Sequence, residues 1–192
     1  MKTLKPFSAV YLLNLKSFYL FLFISCLFTR ILTSIDYLED IDSMRFALSL
    51  FDYNISELRP HFPGYPIFCF FAKIIYSIIG SVQLTFSVIG GISTFIIIFY
   101  SNLIFEMIIK KRSLFLSALI FINPFIWNLG NRYMSDLLGL SFLIMSTYYL
   151  LSGFNLKQKE NLLFGILLIG FSMGIRISFL PFLLPLFLYI TY

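Results

Sequence analysis

The sequence predicts an all-α fold, a polytopic bundle of transmembrane helices with interfacial helices in one outer loop. Hydrophobic residues make up 59% of the 192 residues, charged residues make up 12%, and mean hydropathy is +0.92. A soluble domain of this length could not bury so much apolar surface, because folded proteins keep a large area in contact with water. The acidic residues are also concentrated, since six of the nine lie between positions 36 and 57. The pattern indicates a membrane protein with one sizeable polar loop.

Six apolar runs are candidate membrane spans, since a span needs about 20 apolar residues. In chain order they are residues 17–35, 84–109, 114–129, 137–154, 161–175 and 177–192, within a single transmembrane domain, 1–192. A further run, 66–80, would be about 22 Å long as a helix, which is short of a hydrocarbon core of roughly 30 Å. We expect it to lie along the outer interface, starting at Pro66, within an outer loop of residues 36–83.

The basic residues stand in short groups beside the apolar runs, where such residues orient a membrane protein. The net charge of +5 therefore gives no reason to expect nucleic acid as a partner. Lys2, Lys5 and Lys16 predict a cytoplasmic N-terminus in a multi-pass protein of the inner (plasma) membrane. Two further basic groups are Lys110-Lys111-Arg112 and Lys157/Lys159. Both are cytoplasmic only if residues 66–80 do not cross the membrane. The outer side would then collect the loop, the turn at 128–136 and the junction around Arg176.

Residues 38–47 have the pattern of a helix that lies just outside the first span. Glu39, Asp42 and Arg45 are three apart and would share one face of that helix. A carboxylate one turn from a guanidinium suits group transfer, because the acid can take a proton while the arginine steadies an anionic leaving group. The alternative is an ordinary surface ion pair, which is common and weak.

Three charged residues near the ends of apolar runs have two interpretations each. An arginine at the bilayer centre costs about 2.5–3.5 kcal/mol of insertion free energy, so Arg176 is expected to face a polar cavity. The alternative is that Arg176 snorkels from the end of its helix to the membrane surface. Asp136 would face the same side as Asp42, or it would simply favour a helix N-terminus. Arg30, inside the first span, is expected to snorkel rather than bind a ligand.

The segment from His61 to Pro66 (His-Phe-Pro-Gly-Tyr-Pro) combines proline steps with one permissive glycine. Prolines bias the residues before them to extended backbone, and Gly64 can adopt a positive φ. We expect a fixed bend that presents His61 and Tyr65 toward the membrane surface. A structural turn with no ligand would have the same sequence.

Several of these segments, taken in order, resemble motifs of the GT-C class of membrane glycosyltransferases. Asp42-Ser43-Met44-Arg45-Phe46-Ala47 is similar to the Asp-Glu-Pro-Arg-Tyr-Ala type motif of the first periplasmic loop in that class. His61-Phe62-Pro63-Gly64-Tyr65-Pro66 resembles the His-Pro-Pro-Gly-Tyr-Pro segment that follows it. Tyr133-Met134-Ser135-Asp136 falls where these enzymes have a second outer acidic residue, and Gly174-Ile175-Arg176 falls where a helix ends in a basic residue. The resemblance covers the chain from Ser17 to Tyr192. The GT-C class includes protein O-mannosyltransferases and the lipid A aminoarabinose transferase.

The resemblance implies a cell-envelope enzyme that moves a sugar from a polyprenyl-phosphate carrier to a lipid, glycan or protein acceptor. In such enzymes the first-loop aspartate, here Asp42, acts as the base or positions the acceptor. The two basic residues, here Arg45 and Arg176, contact the phosphate of the donor. Other candidates to line the site are Glu39, Asp40, His61, Tyr65 and Asp136. Family members are about twice as long, which leaves two alternatives: this chain is the N-terminal portion of a longer enzyme, or it is a truncated relative without activity.

Ser43 departs from the family pattern, because an acidic residue often stands beside the aspartate. The metal-binding form of the motif is therefore in question, no metal ligand is assigned, and a divalent metal requirement stays open. Two other classes of function also stay open. A transporter or flippase for the lipid carrier would need polar residues along its spans, and these are few. A non-catalytic assembly subunit would be favoured if the chain ended at Tyr192.

Overall fold

The computed structural model describes residues 9–111, 113–185 and 188, with side chains from Lys16 onward. In these ranges all the regular elements are helical, which confirms the all-α prediction. The α-helices are α1 (Ala9–Leu32), α2 (Ile41–Ser49), α3 (Pro66–Ile79), α4 (Val82–Ile109), α5 (Leu114–Phe121), α6 (Pro124–Asn131), α7 (Asp136–Leu156) and α8 (Lys159–Ile175). Short 3-10 helices occupy Ile55–Glu57 and Ile177–Leu183. An isolated β-bridge joins Asn54 to Arg59.

Two of the described helices, α4 and α7, are long and apolar enough to cross a membrane. Helices α5 and α6, taken as one segment, are also long and apolar enough, although the segment bends by 53° between them. If this bent segment is one span, the number of candidate spans rises to three. These helices indicate membrane association. The predicted run 17–35 begins inside α1, the run 161–175 lies inside α8, and the run 177–192 opens as a 3-10 helix. Residues 186, 187 and 189–192 lie outside the described residues, and six crossings remain a prediction.

The predicted continuous span 114–129 is wrong in one respect, because the chain bends between α5 and α6. Pro124 stands at the first turn of α6, and Asn123 before it has extended backbone and caps the helix through its side chain. Proline lacks an N–H and disfavours helical backbone in the preceding residue, so α5 cannot continue through it. The bend lets α6 form a separate short helix that ends at the turn leading to Asp136.

Helix α2 starts later than the sequence predicts. Asp40 is its N-cap, with extended backbone, and accepts a hydrogen bond from the Ser43 N–H at 2.7 Å. Aspartate is a favoured N-cap because its side chain satisfies a backbone donor that the helix leaves unpaired. Glu39 therefore precedes the helix, and the prediction that it shares a helical face with Asp42 and Arg45 is wrong.

Helix α2 packs beside α3. The ring centroids of Phe46 and Phe68 are 5.1 Å apart, and those of Phe51 and Tyr76 are 5.3 Å apart. Phe46 and Phe68 are fully buried, so this contact forms the centre of the core beneath the polar loop. Helix α3 starts at Pro66, as expected, and ends at Gly80, whose φ is +73°.

The three segments that the sequence assigns to one side of the membrane meet at one end of the molecule. Asn131, at the end of α6, donates to the Thr33 carbonyl at 2.8 Å, and the Tyr133 hydroxyl donates to the Ile35 carbonyl at 2.6 Å. Gln83, at the start of α4, donates to the Ser34 hydroxyl at 2.8 Å. These bonds tie the end of α1 to the starts of α4 and α7, which frames the site.

The basic groups near the ends of α4 and α7 lie at the opposite end. Asn155 of α7 donates to the Met107 sulfur of α4 at 3.4 Å, so the two helix ends lie side by side. Lys110 and Lys157 follow directly as the C-caps of those helices. Lys2, Lys5 and Arg112, which also enter the orientation argument, lie outside the described residues.

Candidate functional site

The site begins with the pair predicted from helical spacing. Asp42 lies in the first turn of α2, and its Oδ1 is 3.2 Å from Nη1 of Arg45, one turn later. The same oxygen is 3.4 Å from Nδ1 of His61. The Asp42 side chain is 43% exposed, whereas those of Arg45 and His61 are 28% and 21% exposed. The carboxylate is thus open to solvent on one side and lies near two side-chain nitrogens, Nη1 of Arg45 and Nδ1 of His61, on the other.

The bend at residues 61–65 holds His61 in place. The Gly64 N–H donates to the His61 carbonyl at 2.9 Å, and both Gly64 and Tyr65 have positive φ, at +92° and +46°. Such backbone favours glycine, and a Cβ at Gly64 would lie 2.7 Å from a methyl carbon of Ile55. Nε2 of His61 is then 3.0 Å from the Tyr65 hydroxyl. The Phe46 ring packs edge-on against both rings, at 5.6 and 5.0 Å.

A second ion pair is built from α7 and the end of α8. Nη2 of Arg176 is 3.1 Å from Oδ1 of Asp136, and Nη1 donates to the Ser135 hydroxyl at 3.3 Å. The two charged side chains are 28% and 21% exposed. Gly139 makes room for this arrangement, because a Cβ there would lie 3.1 Å from the Cβ of Arg176. Arg176 is therefore held on a neighbouring helix and does not extend freely from its own helix end.

Tyr65 lies within electrostatic reach of both ion pairs. Burial raises the pKa of its phenol, the Arg176 guanidinium opposes that shift, and the Asp42 and Asp136 carboxylates add to it. Charges act over short distances in a solvated protein, so both carboxylates and Arg176 are near enough to influence the same phenol. The structure thus brings together predicted site residues from three separate parts of the chain.

Glu39 and Asp40 have a different partner. Arg132, in the turn between α6 and α7, donates from Nε to Glu39 and from Nη2 to Asp40. The Ser43 N–H that donates to Asp40 lowers the pKa of that carboxyl, and the Arg132 charge contributes to the shift. Both carboxylates therefore fasten the start of α2 to this turn.

Arg132 is the residue of this region that the sequence argument missed. A signal was available, because an arginine on the outer side runs against the positive-inside bias. A cation in the turn between α6 and α7, opposite a loop rich in acidic residues, is expected to pair with a carboxylate. Which carboxylate it binds could not be read from spacing, since 92 residues separate Arg132 from Asp40.

The expectation that Arg30 snorkels is wrong. The residue is 1% exposed, and its guanidinium donates to the carbonyls of Trp127 at 3.2 Å and Ile126 at 3.4 Å. It also lies 4.3 Å from the centroid of the Trp127 indole ring. A helix as short as α6 leaves carbonyls unpaired, and these give a buried cation its hydrogen-bond partners. Arg30 thus fixes α6 against α1.

An apolar cavity of about 280 Å³ lies between α3, α4 and α7. Its lining residues are Phe71, Ile75, Ile89, Ile92, Ile96, Leu138 and Phe142. Leu138 follows Asp136 by two residues, so one end of the cavity lies close to the second ion pair. In residues 9–111 and 113–185, no group of three or more His, Cys, Asp or Glu side chains could hold a metal ion.

Comparison with protein-family models, with curated proteins and with solved structures gave no match to this chain. The functional interpretation consequently depends on the motifs and on the geometry described above.

Proposed function

We propose that this chain acts as a membrane-embedded glycosyltransferase, or as the N-terminal portion of one. It would move a sugar from a polyprenyl-phosphate carrier to a lipid, glycan or protein acceptor on the outer face of the inner membrane. The observation that carries this proposal is a set of two arginine–carboxylate pairs, Asp42–Arg45 and Asp136–Arg176, that both include charges near enough to act on the Tyr65 phenol. The proposed topology has six spans, a cytoplasmic N-terminus and loop 36–83 outside.

The two arginines suit an anionic leaving group. When a sugar leaves its carrier, negative charge develops on the phosphate, and guanidinium groups bind phosphate through charge-assisted hydrogen bonds. Each arginine already lies on a carboxylate, so the donor phosphate would take the carboxylate's place on the guanidinium. The released carboxylate would then be available to assist deprotonation of the acceptor, the role proposed for Asp42.

A lipid-linked donor also suits the surroundings of the site. The polar residues lie directly above an apolar body, and the cavity between α3, α4 and α7 has no polar lining. A soluble sugar nucleotide would not need such a surface, whereas an isoprenoid chain has no hydrogen-bonding groups and can lie against apolar side chains as it lies against lipid tails.

The proposal is tested first by binding, because neither the sugar nor the acceptor is identified. Polyprenyl phosphate is added to the purified protein in detergent, and its apparent Kd is measured. Arg176→Ala should weaken binding by about 10- to 100-fold, since a hydrogen bond to a charged group contributes about 1.5–3 kcal/mol. Arg59→Ala is the matched control, because that arginine pairs with Asp52 and Glu57 on the surface of the loop. An equal effect of the two substitutions would contradict a phosphate site at Arg176.

Activity is tested in vesicles that contain a panel of radiolabelled polyprenyl-phosphate sugars. Asp42→Asn should reduce transfer by about 10²–10⁴-fold, the usual effect of losing a group that assists proton transfer. Asp52→Asn, which removes another loop carboxylate, should leave transfer intact. Movement of the intact donor across the bilayer without sugar release would instead favour a carrier flippase.

A further inference from the structure

We infer that Asp42, His61 and Tyr65 form a proton relay, in which Tyr65 passes the acceptor's proton to His61 and Asp42 orients the imidazole. The inference depends on the proposed function for its chemistry, but the arrangement of the three groups can be tested without any activity. It changes the role of Asp42 from the proton acceptor to the positioning residue of a neighbouring base.

The first support is the order of the three groups. The carboxylate oxygen of Asp42 is 3.4 Å from Nδ1 of His61, and Nε2 on the other side of the ring is 3.0 Å from the Tyr65 hydroxyl. A neutral imidazole carries one proton, and the carboxylate favours that proton on Nδ1. Nε2 is then an acceptor, and the Tyr65 hydroxyl donates to it.

The second support is the state of Nδ1. This nitrogen is buried and has no hydrogen-bond partner of good geometry, although the Asp42 oxygen lies 3.4 Å away. A buried polar atom without a partner is costly, and hydrogen bonds between catalytic groups are often long until substrate binds. Arg45 shares the same carboxylate oxygen, at 3.2 Å. If the donor phosphate draws Arg45 away, Asp42 is free to close on Nδ1.

The third support is the position of Tyr65. Its burial and the nearby Asp42 and Asp136 carboxylates favour the neutral phenol, so Tyr65 is suited to pass a proton and unsuited to act as a standing phenolate. The charged groups near the relay are Asp42 and Arg45 from α2, together with Asp136 and Arg176, whose charges also act on the Tyr65 phenol.

The acceptor oxygen forms a bond to the anomeric carbon, and the bond from that carbon to the phosphate oxygen breaks with its electron pair leaving on the polyprenyl phosphate. The acceptor's proton goes to the Tyr65 oxygen while the proton of Tyr65 goes to Nε2 of His61. The resulting imidazolium lies against the Asp42 carboxylate, and it later loses its proton to water.

The decisive experiment uses the fact that His61 is the chain's one histidine. Protein labelled with ¹⁵N-histidine gives imidazole signals from this residue alone, and their shifts report which nitrogen carries the proton. In the neutral form, the proton should be on Nδ1. Asp42→Asn should move it to Nε2, because the new amide can donate to Nδ1. Asp52→Asn, the matched control, should keep the wild-type state. A wild-type proton on Nε2, or the same tautomer in Asp42→Asn, would overturn the relay.

The second measurement follows transfer by the whole protein, if the donor panel identifies a substrate. Tyr65→Phe and His61→Gln should each lower the rate by about 10²–10⁴-fold and leave the affinity for polyprenyl phosphate unchanged. A wild-type rate in Tyr65→Phe would overturn the relay. Failure of wild-type protein to transfer any sugar would count against the proposed function alone, since the tautomer is measured separately.

Discussion

Arg132 donates a hydrogen bond to Asp40, the residue that caps helix α2, across 92 positions of the chain. The contact joins the turn before α7 to the start of the helix that carries Asp42. Asp136, at the first position of α7, follows Arg132 by four residues. The Arg132–Asp40 contact therefore helps to set the distance between the Asp42–Arg45 pair and the Asp136–Arg176 pair.

The first prediction concerns the acid stability of this contact. The folded-state pKa of Asp40 is lowered, so its stabilising effect is complete above the unfolded-state value of about 4 and is lost as the pH falls through the folded-state pKa. Asp40→Asn should lower the Tm at neutral pH and should flatten the loss of Tm on acidification below about pH 4. The measurement is thermal unfolding in detergent over a pH series. Asp52→Asn should change the Tm little, because surface ion pairs contribute about 0–1 kcal/mol.

The second prediction concerns the contact between α4 and α6. A Cβ at Gly90 would lie 1.7 Å from the Gly130 carbonyl oxygen, so the two backbones touch at this point. Gly90→Ala should push α6 away from α4 and lower the free energy of unfolding by about 1–3 kcal/mol, the usual cost of overpacking. Gly170→Ala is the control, because a Cβ there meets nothing within 4 Å. Equal Tm values for the two variants would contradict the close contact.

The third prediction concerns Arg30. Lysine keeps the charge but cannot donate to two carbonyls while stacking on an indole ring. Arg30→Lys should therefore lower the free energy of unfolding by about 1–3 kcal/mol, the cost of leaving buried carbonyl groups without a hydrogen-bond donor. Arg59→Lys makes the same exchange in a surface ion pair and should leave the Tm almost unchanged. Comparable losses in both variants would mean that the carbonyl contacts of Arg30 contribute nothing.

The fourth prediction concerns the proposed topology. Single cysteines are introduced at Ser56 and Ser81 in a protein whose buried Cys26 and Cys69 have been replaced. Both should react with a membrane-impermeant thiol reagent in intact cells, because α3 would lie along the membrane between them. A cysteine at Gln158, near the basic end of α7, should react only after permeabilisation. Protection of Ser81→Cys in intact cells would mean that α3 crosses the membrane.

The sequence by itself determined the features that depend on composition and on short spacing. Apolar runs predicted the bounds of α4, α7 and α8 to within two residues, the preference of proline for the first helical turn predicted the start of α3 at Pro66, and a spacing of three residues predicted the Asp42–Arg45 pair. These predictions succeed because neighbours on one helix are fixed by the helical repeat, whatever the rest of the chain does.

Only the tertiary structure decided which distant groups meet. Glu39 leaves the face of Asp42 because Asp40 caps the helix, Arg132 takes both of those carboxylates, and Arg30 turns inward to the carbonyls of α6. Tyr65 comes within reach of the charges of both ion pairs because α3, which it precedes, contacts both α2 and α8. Contacts of this kind depend on how helices pack, and packing depends on the shapes of whole faces, which no local spacing encodes.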